Sequence, residues 1–404
     1  MKHVIIGAGA AGISAAKTIR GLKPQDDIVI ISTDEAVYSR VMLHFFISGQ
    51  RDEKGMSFIA DDFFEAHNIR WISGKSVTGI HTAKKEVIFA DGAETFDTLL
   101  IASGADSVAL PIQKEDPKNV FGLRHLSDAK AIREKAANAE NIIIIGAGLV
   151  GLDAAYALLA LGKKPVVIDM SEQVLPLNLD AHGAEAYQKK FEEAGCTFYL
   201  GDKVSAADSH NGSVASVTLD SGKVLPCDMA VVAVGVRPAV KFLDGSGIDH
   251  ENGVTVNNRL ATNVPGIYAA GDVTGLSGIW PNAMKQGEVA AKNMCGVPTL
   301  YDDVFAQKNT ANYFGLVTLS IGETVALEGD RQEIRESKKS YEKVIVRDGV
   351  VVGVILQGNI GGSGFWQYLI KNRIDISKIN ASVFDLSFAD FYGVKDNGEY
   401  QWVV

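Results

Sequence analysis

The sequence predicts an α/β protein with two Rossmann-like dinucleotide-binding units followed by a small α+β domain. Three observations indicate this fold class. The glycine fingerprint GxGxxG occurs twice, and Val- and Ile-rich runs alternate with Ala-rich runs around each copy. From about residue 310 the pattern changes to consecutive strands. The 404 residues, of which 47% are hydrophobic, are enough for two or three domains with large cores.

The first unit begins with the first residues of the chain. A strand is predicted at about residues 2–6, a helix at about 10–21 and a second strand over Ile28–Ile31. The glycines of the first fingerprint allow a tight turn and let a pyrophosphate approach the N-terminus of the helix. An acidic side chain for the ribose follows the second strand, as Asp34 or Glu35. The fingerprint residues predicted to bind this dinucleotide are Gly7, Gly9, Ala10, Ala11 and Gly12.

The second unit repeats this order of elements. A strand at 142–145, a helix at about 149–161 and a strand over Pro165–Ile168 surround the second fingerprint. Asp169 follows the last strand, where a carboxylate accepts hydrogen bonds from the ribose diol of an adenosine. Because neither Lys nor Arg stands beside Asp169, we predict NAD rather than NADP. The residues predicted to bind NAD are Gly146, Gly148, Leu149, Val150, Gly151 and Asp169.

The rest of the chain completes the second unit and adds a third domain. An amphipathic helix at about 181–195 and a hairpin around Asn211-Gly212 lead to a buried strand over Met229–Gly235. Later, two strands joined by the turn Asp348-Gly349 and a helix near Phe365–Lys371 predict an antiparallel sheet with one helix packed on it.

Composition excludes several kinds of partner. The formal net charge is -10 and no run of Lys or Arg occurs, so neither nucleic acid nor an anionic membrane surface is an expected partner. The three cysteines and eight histidines show no spacing typical of metal ligands. We therefore expect a reducing, cytoplasmic location, no structural disulfide and no bound metal.

Each fingerprint segment has an alternative interpretation. The apolar stretch after Lys2 could be a signal peptide, but its glycine spacing argues against one. The apolar stretch Ile142–Leu161 is about long enough for a membrane span, but Asp153 and the glycines would be unfavourable in lipid. We expect no membrane span.

Three further segments resemble motifs of one family. Thr262–Asp272 (TNVPGIYAAGD), Leu99–Ala105 (LLIASGA) and Val232–Pro238 (VAVGVRP) resemble the second FAD signature, the ATG motif and the GxRP motif of the pyridine-nucleotide-disulfide oxidoreductase superfamily. The segments occur in the order of the family and span most of the chain. The resemblance implies a glutathione-reductase-like fold, in which two Rossmann-like domains for FAD and NAD are interleaved.

The resemblance also implies domain boundaries and cofactor contacts. It divides the chain into a discontinuous FAD-binding domain at 1–110 and 236–308, an NAD-binding domain at 111–235 and a C-terminal α+β interface domain at 309–404. In the family, the last Asp of the second signature, here Asp272, hydrogen-bonds the ribityl chain of FAD. The other positions assigned to the cofactors are Val77, Ala102, Ser103, Gly104, Gly271 and Gly235.

Two segments narrow the resemblance. Tyr38–Leu43 (YSRVML) and Trp280–Gly287 (WPNAMKQG) resemble segments of NADH-dependent rubredoxin reductases, ferredoxin reductases and the flavin part of assimilatory nitrite reductases. This implies that Arg40 contacts the FAD pyrophosphate and that Trp280 and Ala283 lie near the flavin. The alternatives are that Arg40 is an ordinary surface charge and that Trp280 is a core aromatic.

The chain also departs from the family. Residues 41–46 contain no cysteine, where the disulfide members have two and the NADH peroxidase and oxidase type has one. Phe45 stands where the monooxygenase-partner ferredoxin reductases usually carry a lysine. Asp153, assigned to the NAD site, replaces the longer Glu of the family fingerprint. His44 and His125 are candidate acid–base groups or satisfied structural donors, and no catalytic residue is predicted.

The expected function is that of an NADH-dependent flavoprotein oxidoreductase. Hydride passes from NADH to FAD, and because no thiol is available, the electrons then leave one at a time to a small protein carrier. The expected acceptor is rubredoxin, a ferredoxin or an iron–sulfur subunit of a larger complex, such as a 2-oxoacid dehydrogenase or a nitrite-reducing complex. The chain would act as a homo-oligomer or as a subunit of such a complex. The alternatives are an NADH oxidase that uses dioxygen and a non-enzymatic flavin-binding assembly subunit.

Overall fold

The computed structural model describes residues 1–110, 117–303, 307–379 and 381–402. Its helices and strands follow one another in three stretches. The first contains β1 (Lys2–Ile6), α1 (Ala10–Leu22), β2 (Asp27–Ile31), α2 (Leu43–Ile47), α3 (Phe63–Ala66), β3 (Ile69–Ile72), β4 (Val77–His81), β5 (Glu86–Phe89), β6 (Gly92–Thr95), β7 (Thr98–Ile101) and β8 (Ala105–Ser107). The second contains β9 (Val120–Phe121), α4 (Leu126–Ala136), β10 (Ile142–Ile145), α5 (Leu149–Ala160), β11 (Val166–Asp169), α6 (Ala181–Glu193), β12 (Thr197–Leu200), β13 (Val204–His210), β14 (Ser213–Leu219), β15 (Val224–Pro226), β16 (Met229–Val232) and β17 (Val236–Pro238). The third contains β18 (Ile267–Ala269), α7 (Trp280–Met294), β19 (Lys308–Tyr313), β20 (Leu316–Gly322), β21 (Arg331–Glu336), β22 (Tyr341–Arg347), β23 (Val350–Gln357), α8 (Ser363–Asn372), β24 (Tyr392–Val394) and β25 (Tyr400–Trp402).

The first parallel sheet has the strand order β18-β7-β1-β2-β3. Its central strands are nearly continuous buried apolar runs, as expected of a parallel sheet that is covered on both faces. Because side chains alternate along a strand, Ile5 and Ile30 point to one core and Val4 and Val29 to the other. Helices α1 and α7 cover the first face, and the antiparallel sheet β4-β5-β6 covers the second.

The second parallel sheet has the order β12-β11-β10-β16-β9 and repeats this architecture. Ile144 on one face packs with residues of α4, α5 and α6. On the other face, Ile143 and Ile145 pack with residues of the antiparallel sheet β13-β14-β15. In both units the strand before the fingerprint is therefore central, with one parallel neighbour on each side.

The C-terminal part is an antiparallel sheet of order β19-β20-β23-β22-β21, with α8 packed against it. The predicted turn Asp348-Gly349 joins β22 to β23, and both residues have positive φ, +50° and +78°, as a two-residue hairpin turn of this kind requires. The predicted helix near Phe365–Lys371 is α8, which begins two residues earlier and ends one residue later.

The two parallel sheets are interleaved along the chain. Strand β18, which follows the second unit, pairs with β7 of the first sheet. Strands β8 and β17 pair with each other where the chain leaves the first unit and returns to it. The predicted fold class, two interleaved Rossmann-like units with a small α+β domain, is confirmed. The domain boundaries stay predictions, and the one between residues 110 and 111 adjoins 111–116, which lie outside the described residues.

Candidate functional site

A cleft of about 390 Å³ opens where strands β1, β2, β7 and β18 end. Open α/β sheets bind ligands at this carboxyl edge. The first fingerprint and the loops after the other strands line the cleft. Of the residues predicted at a cofactor, those lining it are Gly7, Gly9, Ala10, Ala11, Asp34, Arg40, Val77, Ala102, Ser103, Gly104, Gly271, Asp272, Trp280 and Ala283.

Two residues predicted at the first dinucleotide do not line the cleft. A Cβ atom at Gly12 would lie 1.9 Å from the Gly7 carbonyl oxygen, so glycine at this position lets α1 pack on the turn. Glu35 is exposed, and its side chain lies beside Gly74. Of the two alternatives for the ribose acid, Asp34 is the one that lines the cleft.

The first fingerprint turn is shaped by its glycines. Gly7 has φ +106°, and a Cβ atom there would lie 2.2 Å from the Ala102 carbonyl oxygen. Gly9 is the N-cap of α1, and no side chain caps the helix. A Cβ atom at Gly9 would meet no protein atom within 4 Å. The first amide groups of α1 therefore lie next to open space, and a helix N-terminus of this kind favours a bound anion.

Asp34 is held beside a basic and a phenolic side chain. Arg40 Nη2 donates to Asp34 Oδ2 at 2.5 Å, Tyr38 OH donates to Asp34 Oδ1 at 3.0 Å, and His125 Nδ1 lies 3.5 Å from Asp34 Oδ1. Burial favours the neutral carboxyl, but the hydrogen bond with His125 and the charge of Arg40 outweigh it and lower the pKa of Asp34 to about 2. Asp34 is therefore ionised at neutral pH.

Arg124 also lines the cleft, and sequence reasoning missed it. Its Nη2 donates to Asp272 Oδ2 at 2.6 Å, and its Nε donates to the Ala105 carbonyl oxygen at 2.9 Å. Arg40 Nη1 donates to the Arg124 carbonyl oxygen at 2.9 Å, which joins the two arginines. No recognised motif contains Arg124, so no sequence signal pointed to it.

The start of α7 forms another wall of the cleft. The ring of Trp280 packs edge to face on Phe58, with centroids 4.9 Å apart, and Ala283 lies one turn further along the helix. One more turn along, the buried Gln286 accepts a hydrogen bond from the Gly271 amide at 2.7 Å. This bond fixes the backbone next to Asp272, so the side chain of Gln286 positions the site without lining it.

The second fingerprint forms an equivalent turn after β10. Gly146 has φ +110°, and a Cβ atom there would lie 2.3 Å from the Ala233 carbonyl oxygen. Gly148 is the N-cap of α5, again without a side-chain cap. Asp169 Oδ2 accepts from the Ala147 amide at 2.6 Å, and Oδ1 accepts from the Ser171 amide at 2.7 Å. The predicted NAD residues therefore surround one helix N-terminus, with Val150 exposed at its first turn.

Asp153 lies on α5, one turn beyond this N-terminus, and contacts two other parts of the chain. Tyr313 OH from β19 donates to Asp153 Oδ1 at 2.8 Å, and His44 Nδ1 from α2 lies 3.6 Å from Asp153 Oδ2. Burial raises the pKa of Asp153 to about 7, although the bond from Tyr313 opposes the shift. Burial, with Arg51 nearby, lowers the pKa of His44 to about 4.

The three cysteines are buried and none lines the cleft. Burial raises the pKa of Cys196 and of Cys227 to about 12, and also raises the pKa of Cys295. In the described ranges, no group of His, Cys, Asp and Glu side chains could hold a metal ion. Within the same ranges, none of the helices combines the length and apolar character that a membrane span requires.

Several known proteins resemble this chain in sequence or in fold. The NADH-dependent phenylglyoxylate dehydrogenase subunit epsilon of Aromatoleum evansii is 29% identical over 395 residues, and the alignment covers 94% of each chain. An NAD(P)H nitrite reductase of Bacillus subtilis is 29% identical over 93% of this chain, which spans only 48% of that protein. The solved structure of a ferredoxin reductase from Rhodopseudomonas palustris has the same fold, with a TM-score of 0.87, 24% identity, and coverage of 96% of this chain and 99% of that one.

A family model for pyridine nucleotide-disulphide oxidoreductases matches residues 1–287, well over half of the chain. The match includes both fingerprints and the segment that begins α7. Together with the relatives and solved structures, this match confirms the predicted cofactors, FAD and NAD, and the predicted class of enzyme, an NADH-dependent oxidoreductase. The chain belongs to the pyridine nucleotide-disulphide oxidoreductase family.

Proposed function

We propose that the cleft binds FAD, that the second fingerprint binds NADH, and that electrons leave the protein one at a time to a carrier protein or an iron–sulfur subunit. The observation that carries the last step is the absence of a thiol from the residues that line the cleft. When bound, FAD supplies the redox chemistry, because it accepts a hydride from NADH and gives up single electrons.

The lining of the cleft fits an extended dinucleotide. The space in front of Gly9 and the uncapped N-terminus of α1 suit a pyrophosphate. Arg40 and Arg124 supply positive charge at the same cleft, and the carboxylates of Asp34 and Asp272 can accept hydrogen bonds from sugar and ribityl hydroxyl groups. These residues would bind and orient the cofactor.

The second fingerprint suits the nicotinamide nucleotide. The N-terminus of α5 has no side-chain cap, and Asp169 stands at the end of the neighbouring strand. Two backbone amides fix the orientation of its carboxylate, which would accept hydrogen bonds from a ribose diol and would repel a 2′-phosphate. We therefore assign the site to NADH in preference to NADPH.

The properties of the cysteines argue against disulfide chemistry. A thiol reacts as the thiolate, and the raised pKa values of Cys196, Cys227 and Cys295 keep all three protonated at neutral pH. Transfer to a substrate disulfide or peroxide through these side chains is thus unfavourable. A one-electron acceptor outside the chain requires no thiol.

The relatives support an acceptor held in a larger assembly. The Aromatoleum relative is named as a subunit of a dehydrogenase, and it is matched over 94% of its length. We propose that this chain likewise serves as the NADH-oxidising subunit of a hetero-complex, or reduces a free carrier. We also propose a cytoplasmic location, supported by three thiols that form no disulfide.

Anaerobic mixing with NADH separates this function from its alternatives. The flavin absorbance should bleach with NADH, and ferricyanide or a one-electron carrier protein should restore it faster than air does. In air without a carrier, NADH consumption could instead be as fast as with the carrier and be matched by formation of hydrogen peroxide or water. The protein is then an oxidase. If NADH leaves the flavin oxidised, the protein is a non-enzymatic flavin-binding subunit.

A further inference from the structure

One cluster of titratable side chains lies where three parts of the fold meet. The cluster consists of His44 from α2, Asp153 from α5 and Tyr313 from β19. It brings together the first unit, the second unit and the C-terminal sheet. None of its members lines the cleft, so the proposed FAD site does not account for it.

The cluster adjoins the start of the second fingerprint helix. Tyr313 OH lies 3.3 Å from the carbonyl oxygen of Leu149, the first residue of α5, in addition to its bond to Asp153. Asp153 follows Leu149 by four residues, which places it about 6 Å along the helix axis. A charge on Asp153 is therefore one turn from the amide groups at which a pyrophosphate would bind.

Little positive charge of the protein faces the carboxyl group of Asp153, whose side chain is 25% exposed. Among the described residues, His44 is the only basic side chain within ion-pair distance, and its lowered pKa keeps it neutral at physiological pH. The positive charge of Arg51 acts on His44 and helps to keep its imidazole neutral. Tyr313 remains a neutral donor because burial, Asp153 and Tyr187 of α6 all raise its pKa.

We propose that Asp153 is a positioning residue that makes nucleotide binding at the second fingerprint pH-dependent, with tighter binding below neutral pH than above it. This inference rests on the proposed placement of NADH at that fingerprint. A neutral Asp153 leaves the positive end of the α5 dipole free to attract the pyrophosphate, whereas an ionised carboxylate one turn away offsets that attraction.

The direction of this pH dependence follows from the protonation of the Asp153 carboxyl group. The pKa of Asp153 is raised to about 7, so the group is mostly protonated at about pH 6 and mostly ionised at about pH 8. Affinity should fall as pH rises through this range. A charge near a helix terminus changes binding by about two- to fivefold, and we expect a change of that size.

The test measures the Kd of ADP-ribose, which has the pyrophosphate and both sugars but no nicotinamide, on the FAD-loaded protein by calorimetry. The unmodified protein should bind about two- to fivefold more weakly at about pH 8.5 than at about pH 6. Asp153→Asn should bind equally well at both values, near the tighter limit, because the amide resembles the neutral carboxyl. Asp208→Asn, which removes an exposed charge from β13, should keep the pH dependence of the unmodified protein.

A second measurement stands independently of how well the variant folds. Isotope-edited NMR follows the carboxyl carbon of Asp153 in the unmodified protein, and its signal should titrate with a midpoint near pH 7. Tyr313→Phe should raise this midpoint, because it removes a hydrogen-bond donor to the ionised carboxylate. A midpoint below about 5, as for an ordinary carboxyl, overturns the inference. The inference is also overturned if ADP-ribose binding by the unmodified protein does not depend on pH, or if Asp153→Asn keeps the same pH dependence. Failure of ADP-ribose to bind at any pH overturns instead the proposed nucleotide site.

Discussion

At the scale of single residues, the cleft is lined by charged pairs that are formed within the protein itself. Arg40 pairs with Asp34, and Arg124 pairs with Asp272, whose side chains are each 18% exposed. Bonds to neighbours restrict the rotamers of all four side chains, so little ordering remains to be done when a ligand binds. We expect substitutions at these pairs to affect cofactor affinity more than overall stability.

Asp272→Ala tests the assignment of the ribityl contact. The change would leave hydroxyl groups of FAD unpaired and would also remove the carboxylate partner of Arg124. Leaving such a hydroxyl group unpaired costs about 1–3 kcal/mol, or roughly five- to over a hundredfold in FAD affinity. Flavin fluorescence after dialysis measures the loss, with Asp208→Ala as the control. Full retention of FAD by Asp272→Ala would remove Asp272 from the site.

Asp169→Ala tests the selection of NADH. A charge-assisted hydrogen bond contributes about 1.5–3 kcal/mol, so the rate of flavin bleaching at low NADH should fall about ten- to over a hundredfold, and the preference over NADPH should narrow. Asp169→Asn keeps an acceptor for the Ala147 amide and should lose less. Stopped-flow absorbance with both nucleotides gives the ratio, and equal rates in the unmodified protein would refute the assignment.

At the scale of elements, α6 connects the second unit to the C-terminal sheet. Asp180 caps α6 by accepting from the Gly183 amide at 3.1 Å, and it also accepts from Tyr341 OH at 2.6 Å and Lys343 Nζ at 2.9 Å. Tyr187 OH on the same helix donates to the Leu316 carbonyl oxygen at 2.6 Å. These bonds hold β20 and β22 of the C-terminal sheet against α6 and the residue that caps it.

Lys343→Met should weaken the attachment of α6 to the C-terminal sheet. The side chains of Lys343 and Asp180 are 8% and 16% exposed, and loss of a hydrogen bond between charged groups at such a site costs about 1.5–3 kcal/mol of unfolding free energy. Burial would raise the pKa of Asp180, but its bonds to Tyr341 and Lys343 outweigh burial and lower it. The stabilisation is therefore present above the pKa of the unfolded chain and is lost as pH falls. Urea unfolding should show this difference in unfolding free energy at pH 7 and a smaller difference at about pH 3, below the ordinary Asp pKa of about 3.9. The exposed Lys338→Met should match the unmodified protein at both pH values.

Sequence patterns predict the elements whose structure depends on residues close together in the chain. Four consecutive isoleucines at Ile142–Ile145 before a glycine fingerprint predict a buried strand and a turn, and both are present. The pairing of Arg124 with Asp272 joins residues 148 positions apart, and that of Tyr313 with Asp153 joins residues 160 positions apart. No motif or periodicity records such contacts. The sheet β4-β5-β6 was also missed, because β6 (Gly92–Thr95) is mostly exposed and has no apolar period.

At the scale of the whole molecule, the same architecture is used twice, and a third domain packs on the second copy. Each unit has a parallel sheet, helices on one face and a three-stranded antiparallel sheet on the other. The cysteines lie buried within these layers, away from the cleft. We propose that this scaffold passes electrons from NADH to a one-electron acceptor without a thiol of its own.

The most direct test is a single turnover of a variant in which Cys196, Cys227 and Cys295 are all replaced by Ala or Ser. In anaerobic stopped-flow mixing, NADH should bleach the flavin of this variant, and about two equivalents of ferricyanide per NADH should restore its absorbance, since each accepts one electron. Both rates should lie within a few fold of those of the unmodified protein. Loss of turnover in the variant, with FAD still bound and still bleached by NADH, would show that a cysteine relays the electrons and that the transfer depends on a thiol.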